Sequence, residues 1–165
     1  MKNYDLFMLA EELANNIERL KALKGAKFTF GILKNIDVLE REVKLLAGSS
    51  KPTDEYIAYD KLRIALCEQF TAKDENGELK KKETVSAPGQ FEYDIDTESQ
   101  EWKDAIAKMK NDNAEVLKAR DEQIAQYNEL LMSETDVELF KIKLDDVPND
   151  ITMDLMKIIK HFVKE

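Results

Sequence analysis

ESQEWKDAIAKMKNDNAEVLKARDEQIAQYNELLMS, residues 98–133, is the stretch whose reading decides the fold. It contains neither Gly nor Pro, and Trp102, Ile106, Met109, Val116, Ile124, Tyr127 and Leu131 recur in it at near-heptad steps. Apolar residues so spaced line one face of a helix and form a seam for a second helix. Just ahead, Thr97-Glu98-Ser99-Gln100 has the pattern of a capping box, in which a hydroxyl and a later Gln satisfy the free amides of a helix start. The spacing predicts one unbroken helix from Glu98 to about Ser133, ~54 Å long at 1.5 Å per residue. Asn113 and Arg120 fall at two inward positions of this seam, and a gap in the pairing helix is expected to leave them facing water.

Working towards the N-terminus, the segment from Thr53 to Phe70 reads as a helix capped by Thr53, with Asp54 and Glu55 in a first turn that favours negative charge. Tyr59, Leu62, Leu66 and Phe70 form its expected inner stripe. Gly48-Ser49-Ser50-Lys51-Pro52 is the break before it. From Thr29 to Ala47, Ile32, Ile36, Leu39, Val43 and Leu46 alternate steps of four and three, a second heptad seam. From Tyr4 to Lys24, Leu6, Leu9, Leu13, Ile17, Leu20 and Leu23 line one face, and Gly25 is expected to supply a left-handed stop. The short link at Gly25 makes these first two helices antiparallel neighbours. Laid end to end, the second and third helices match the length of the fourth, which is expected to return along both. Gly31 early in the second helix costs propensity unless another backbone approaches there.

Between the third and fourth helices the texture changes. Asp74-Glu75-Asn76-Gly77 signals a turn, and Leu79 to Val85 and Phe91 to Asp96 flank Ser86-Ala87-Pro88-Gly89-Gln90 as a β-hairpin with a longer loop. Phe91, Tyr93 and Ile95 alternate with Glu92, Asp94 and Asp96, and Lys80 and Lys82 are placed to pair with that acidic row across the strands. Beyond residue 133, Val137 to Leu144 reads as a strand and Asp145 to Asp150 as a turn. A closing helix from about Thr152 is expected to use Met153, Met156, Ile159 and Val163. The fold class is therefore mainly α with a small β component. It is expected as a single elongated domain over 1–165: an antiparallel long-helix hairpin or coiled-coil bundle (4–47, then 53–133) with an inserted β-hairpin and a C-terminal strand and helix (134–165).

Charged residues make up 36% of the 165-residue chain and hydrophobic ones 43%, with 5 Gly and 3 Pro. That suits a folded protein of few, long elements. A net charge of −9 repels nucleic-acid backbones. Acidic residues interrupt Met1 to Leu20, so neither a signal peptide nor a membrane span is expected there, and the expected location is the cytoplasm.

The chain offers little chemistry. His161 is the sole histidine and Cys67 the sole cysteine, so no two-histidine metal site, Ser-His-Asp triad or disulfide can form within these residues. No phosphate-cradling glycine motif is present. The expectation is a non-enzyme with no cofactor, no metal and no catalytic residue. Its expected partners are another protein, further copies of itself, or both, with no nucleic acid and no membrane. Tyr56, Tyr59, Phe70, Phe91, Tyr93 and Trp102 are expected to gather around the hairpin and its flanking helices. Of these, Tyr56, Tyr59, Phe91, Tyr93 and Trp102, with Lys80 and Lys82, are the candidate partner-binding residues, since aromatics anchor interfaces and strand edges invite pairing. A small nucleotide ligand would need basic and aromatic residues meeting at a pocket, for which Lys80, Lys82, Arg120 and Tyr127 are the candidates.

The order of features resembles small α-helical proteins encoded by tailed bacteriophages. Lys27-Phe28 leading into Asn35-Ile36-Asp37-Val38-Leu39-Glu40, and Lys73-Asp74-Glu75-Asn76-Gly77 opening a hairpin, carry the likeness. The ending, Val137 to Leu144 with Asp146-Val147-Pro148 and Asp150-Ile151-Thr152, completes it. The resemblance implies a structural, assembly or chaperone-like interaction protein in an infected bacterium. Its alternative is an inhibitor of a bacterial defence that binds a defence protein or sequesters a signalling nucleotide. Helix, β-hairpin and antiparallel helix are also similar in shape to prefoldin, an analogy that carries no function.

Overall fold

The computed structural model of the protein describes residues 1–83 and 91–164, with the backbone alone at Glu83 and Phe91. The expected loop at 86–90 and the end of the strand expected to reach Val85 lie outside these residues. In chain order the elements are α1 (Asn3–Ala22), α2 (Ala26–Ser49), α3 (Asp54–Phe70), β1 (Lys81–Glu83), β2 (Phe91–Tyr93), α4 (Gln100–Asp112), α5 (Ala114–Met132), β3 (Ile142–Lys143), α6 (Met153–Ile159) and β4 (Val163–Lys164). The protein is thus mainly α with a small β component. It divides into two compact units, one formed by Met1–Lys51 with Ile124–Glu165 and the other by Pro52–Gln123.

In the first unit α1 packs on α2 and α6 packs on α1. The α1 face foreseen from its spacing is the buried one: Leu6, Leu9, Leu13 and Leu20 are inside, with Leu23 packed at the margin. α2 contributes Phe28, Ile32, Leu39 and Leu46. Gly25 has φ +149 and lies past the extended Leu23 that ends α1. Its carbonyl accepts from the Thr29 amide at 2.9 Å, so it begins α2 rather than stopping α1.

The C-terminal segment is held differently from the expected strand. Only Ile142 and Lys143 form a ladder, parallel to Val163 and Lys164. Phe140 is instead fixed by Asn35 of α2, which is fully buried. The Asn35 amide nitrogen donates to the Phe140 carbonyl at 3.0 Å, and its oxygen accepts from the Phe140 amide at 2.7 Å. One side chain thereby supplies both hydrogen bonds a neighbouring strand would have made. Gly31, one turn earlier, admits Ile142: a Cβ there would stand 2.5 Å from Ile142 Cγ1. The close approach anticipated at Gly31 is made by a side chain, not by a backbone.

α6 is shorter and turned relative to its expected face. Leu155, Ile159 and Phe162 are buried, whereas Met153 is 78% exposed and Val163 lies in β4. Its first turn is tied to α1 by an Arg19–Asp154 ion pair of 2.7 Å. The Thr152 hydroxyl and then Arg19 hold the Asp154 carboxyl down at about 2.

The second unit starts with α3, capped as expected by Thr53, whose oxygen accepts from the Tyr56 amide at 3.3 Å. α4 is capped by Ser99 rather than Thr97, through the Trp102 amide at 3.3 Å. The long helix is interrupted at Asn113 (φ −120, ψ 22), where α4 ends and α5 begins. The Asn113 side chain donates to the Met109 carbonyl at 2.8 Å, the acceptor its own amide would use in a continuing helix. Within this unit α4 packs on α3, which is the part of the expected return path that lies inside one unit.

Candidate functional site

The hairpin is rooted in the chain that leaves α3. Lys81, Lys82 and Glu83 pair antiparallel with Tyr93, Glu92 and Phe91. Below them, the Ala72 amide donates to the Asp94 carbonyl at 3.1 Å and the Lys80 amide to the Ala72 carbonyl at 2.8 Å. Thr71 is buried there, its hydroxyl donating to the Cys67 carbonyl. Lys82 reaches Glu92 and Asp94 at 3.9 and 4.0 Å, so the foreseen cross-strand charge pairing is present. Lys80 is exposed and is seen through its backbone bonds alone, while Lys81 lies 5.5 Å from the Tyr93 ring.

The expected gathering of aromatics splits into two pairs. Tyr56 and Tyr59 meet at 5.7 Å near the start of α3. Phe70 and Trp102 meet edge to face at 5.5 Å at its end. From Tyr59 to Phe70 is eleven positions of helix, roughly 16 Å. Tyr93 turns to Glu68, donating its hydroxyl at 3.0 Å, and that carboxylate pushes the phenol's pKa up. Tyr59 is buried and its pKa is raised chiefly by that burial. It is a core residue, not an exposed anchor. The Phe91 side chain lies outside the described residues.

Between the two aromatic pairs runs a cleft of about 490 Å³, lined on α3 by Leu62, Ala65, Leu66 and Gln69 and on α4 by Ala105, Lys108 and Met109. Asn113 closes one side, and Phe70 joins the lining at the end of α3. Leu62, expected inside, is 56% exposed, and Ile57 and Ile64 stand out on other sides of the helix. Apolar residues all round a helix mark one that is to be covered on more than one side, whereas one packed helix covers one side. Arg120 lies 5.3 Å from the Tyr56 ring. Asn113 and Arg120 are both half-buried against α3, rather than left in water beside a gap.

Cys67 is buried, and His161 is exposed beyond α6 in the first unit. Among the described residues no group of His, Cys, Asp and Glu is placed to hold a metal ion. No helix of the described residues is long and apolar enough to cross a membrane. No family model, curated protein or solved structure matches the chain.

Tyr56, Tyr59, Tyr93, Trp102, Lys80 and Lys82, singled out from the sequence, do not line this cleft. Leu62, Ala65, Lys108 and Met109 line it, and Phe70 is the aromatic residue of its lining. The available signal was the count of apolar residues on α3, more than one partner helix can bury.

Proposed function

We propose that the chain is a non-catalytic interaction protein whose working surface is the α3–α4 cleft. The exposure of Leu62 within an apolar cleft carries this reading, because a leucine left in water at the centre of a helix pair gains most from a covering partner. The cleft suits the helix-in-groove mode, in which an amphipathic helix lays its apolar face between two others. Charge supports the nature of that helix. Positions 52–123 hold eighteen Asp and Glu against eleven Lys and Arg, so a partner with basic flanks is drawn in and long polyanions are not. The likeness to phage-encoded proteins supports a structural, assembly or chaperone-like setting in an infected bacterium.

The test is affinity capture from infected cells with the native chain and with Leu62→Glu, alongside sedimentation of each. Leu62→Glu is expected to leave helicity unchanged and to lose the captured protein. Equal capture by the two would remove the cleft from the working surface. Loss of a self-assembled species in sedimentation, with nothing else captured, would make the partner a second copy.

A further inference from the structure

A second cleft lies in the first unit, between the start of α2 and the β3–β4 pair, with a volume of about 570 Å³. That falls within the range of small-ligand sites. Phe30 and Phe140 stand in it edge to face, 5.8 Å apart, with Phe30 54% exposed. Four lysines also line it: Lys27, Lys141, Lys143 and Lys164. A fifth, Lys34, holds its ammonium 5.3 and 5.2 Å from the two ring centres. One acid faces them, Asp146, and Lys27 already pairs with it at 3.3 Å. In a chain of net charge −9, this is a local reversal of sign.

Two of the lysines are placed in a way the fold alone does not require. Lys143 and Lys164 are partners in the parallel β3–β4 register, so their side chains leave the ladder side by side. Like charges directly across a ladder oppose it. Neither has an ion-pair partner among the described residues, whereas Lys141 donates to the His161 carbonyl at 2.9 Å. An anion bridging the two ammonium groups would relieve that repulsion, and the exposed ring beside them would accept a flat body attached to the anion.

We propose that this cleft binds a nucleoside phosphate, with its phosphates on Lys143 and Lys164 and its base against Phe30. The site stands independently of the α3–α4 cleft, and its residues belong to the first unit alone. Here basic and aromatic residues meet at a cleft, whereas Lys82 pairs with Glu92 and Asp94 in the hairpin and Arg120 lies over the Tyr56 ring. A nucleic-acid strand fits it less well, since the acidic remainder of the chain repels an extended polyanion.

Calorimetric titration of the full chain with ATP, GTP, CTP and UTP tests the proposal, with inorganic tripolyphosphate as the base-free probe. At least one nucleotide is expected to bind at least tenfold more tightly than tripolyphosphate. Lys143→Ala, Lys164→Ala and Phe30→Ala are each expected to weaken it about tenfold, the usual loss with one charged or stacked contact. All three positions are exposed, so helicity should be unchanged and a loss of binding is not a loss of fold. Absence of binding by all four nucleotides, equal affinity in the three variants, or tripolyphosphate binding as tightly as the nucleotides would each overturn it. So would a single-stranded oligonucleotide binding more tightly than any of them.

Discussion

The two units of this protein are built from similar helices and finished to different degrees. In the first, α1, α2 and α6 enclose a core in which Leu6, Leu13, Leu20, Phe28, Ile32, Leu39, Ile159 and Phe162 are shielded from water. In the second, Tyr59, Cys67 and Thr71 are the buried side chains among the described residues, and α4 and α5 bury none. A pair of helices and a hairpin cannot enclose a core as three crossing elements can, and below about 70–80 residues a core seldom supplies more than ~3–5 kcal/mol. The difference is one of enclosure: the first unit has a closed apolar core, and the second holds its helices and hairpin together with few buried side chains. Regions with few buried contacts are also the ones that open first.

The strongest way to break this comparison is to cut one large apolar side chain in each unit. Phe28→Ala should cost about 3–5 kcal/mol, because it removes a fully buried ring and leaves a cavity. Leu62→Ala should lie within about 0.5 kcal/mol of the native chain, as exposed substitutions do. Trp102 is the only tryptophan and sits in the second unit, so its emission follows that unit while far-ultraviolet dichroism follows all the helices. In denaturant the native protein should lose the Trp102 signal first, and Phe28→Ala should draw the two transitions together. Coincident transitions in the native chain would show that the units melt as one and that their unequal cores do not set unequal stability.

How much of this was legible follows from the same contrast. The α1 and α2 faces could be read because their leucines and isoleucines keep one period on one side, and the buried set follows it closely. The α3 stripe was read less well: Tyr59 is buried and Leu66 and Phe70 half-buried, but Leu62 is exposed, and Ile57 and Ile64 add apolar residues off that face which weaken its period. The break at Asn113 comes from one side chain choosing its own turn's carbonyl, which leaves no mark on the apolar pattern. The lysine cleft was hidden for another reason. Phe30 and Phe140 are far apart in the chain and the lysines occur singly, while the contiguous Lys80-Lys81-Lys82 drew notice and proved to serve a hairpin. Asn35 was visible only as part of a likeness, because its partner lies 105 residues away.

Asn35 sharpens the comparison next, since it shows that the first unit depends on polar as well as apolar fit. Asn35→Ala should cost about 2–3 kcal/mol, because it strands the amide and the carbonyl of Phe140 together. Hydrogen exchange at the Phe140 amide should accelerate with the loss, while amides of α3 and α4 keep their native rates. Unchanged exchange at Phe140 would mean that water replaces the side chain without penalty, and that this joint does not hold the C-terminal segment.

The finest contrast is between two glycines of one helix. At Gly48 an added Cβ meets nothing within 4 Å, so Gly48→Ala should stabilise by about 0.4–1 kcal/mol through the unfolded chain's lost freedom. At Gly31 the same Cβ would stand 2.5 and 2.9 Å from Ile142 Cγ1 and Cδ1, and Gly31→Ala should destabilise by about 1 kcal/mol once overpacking is set against helix propensity. Placing both changes in an Ile142→Ala background separates the causes. There Gly31→Ala should turn from harmful to helpful, because the clashing atoms are gone, while Gly48→Ala should keep its sign and size. If Gly31→Ala stays equally harmful without Ile142's outer atoms, the fit between α2 and β3 is not what requires glycine, and the close packing claimed for the first unit fails at its tightest point.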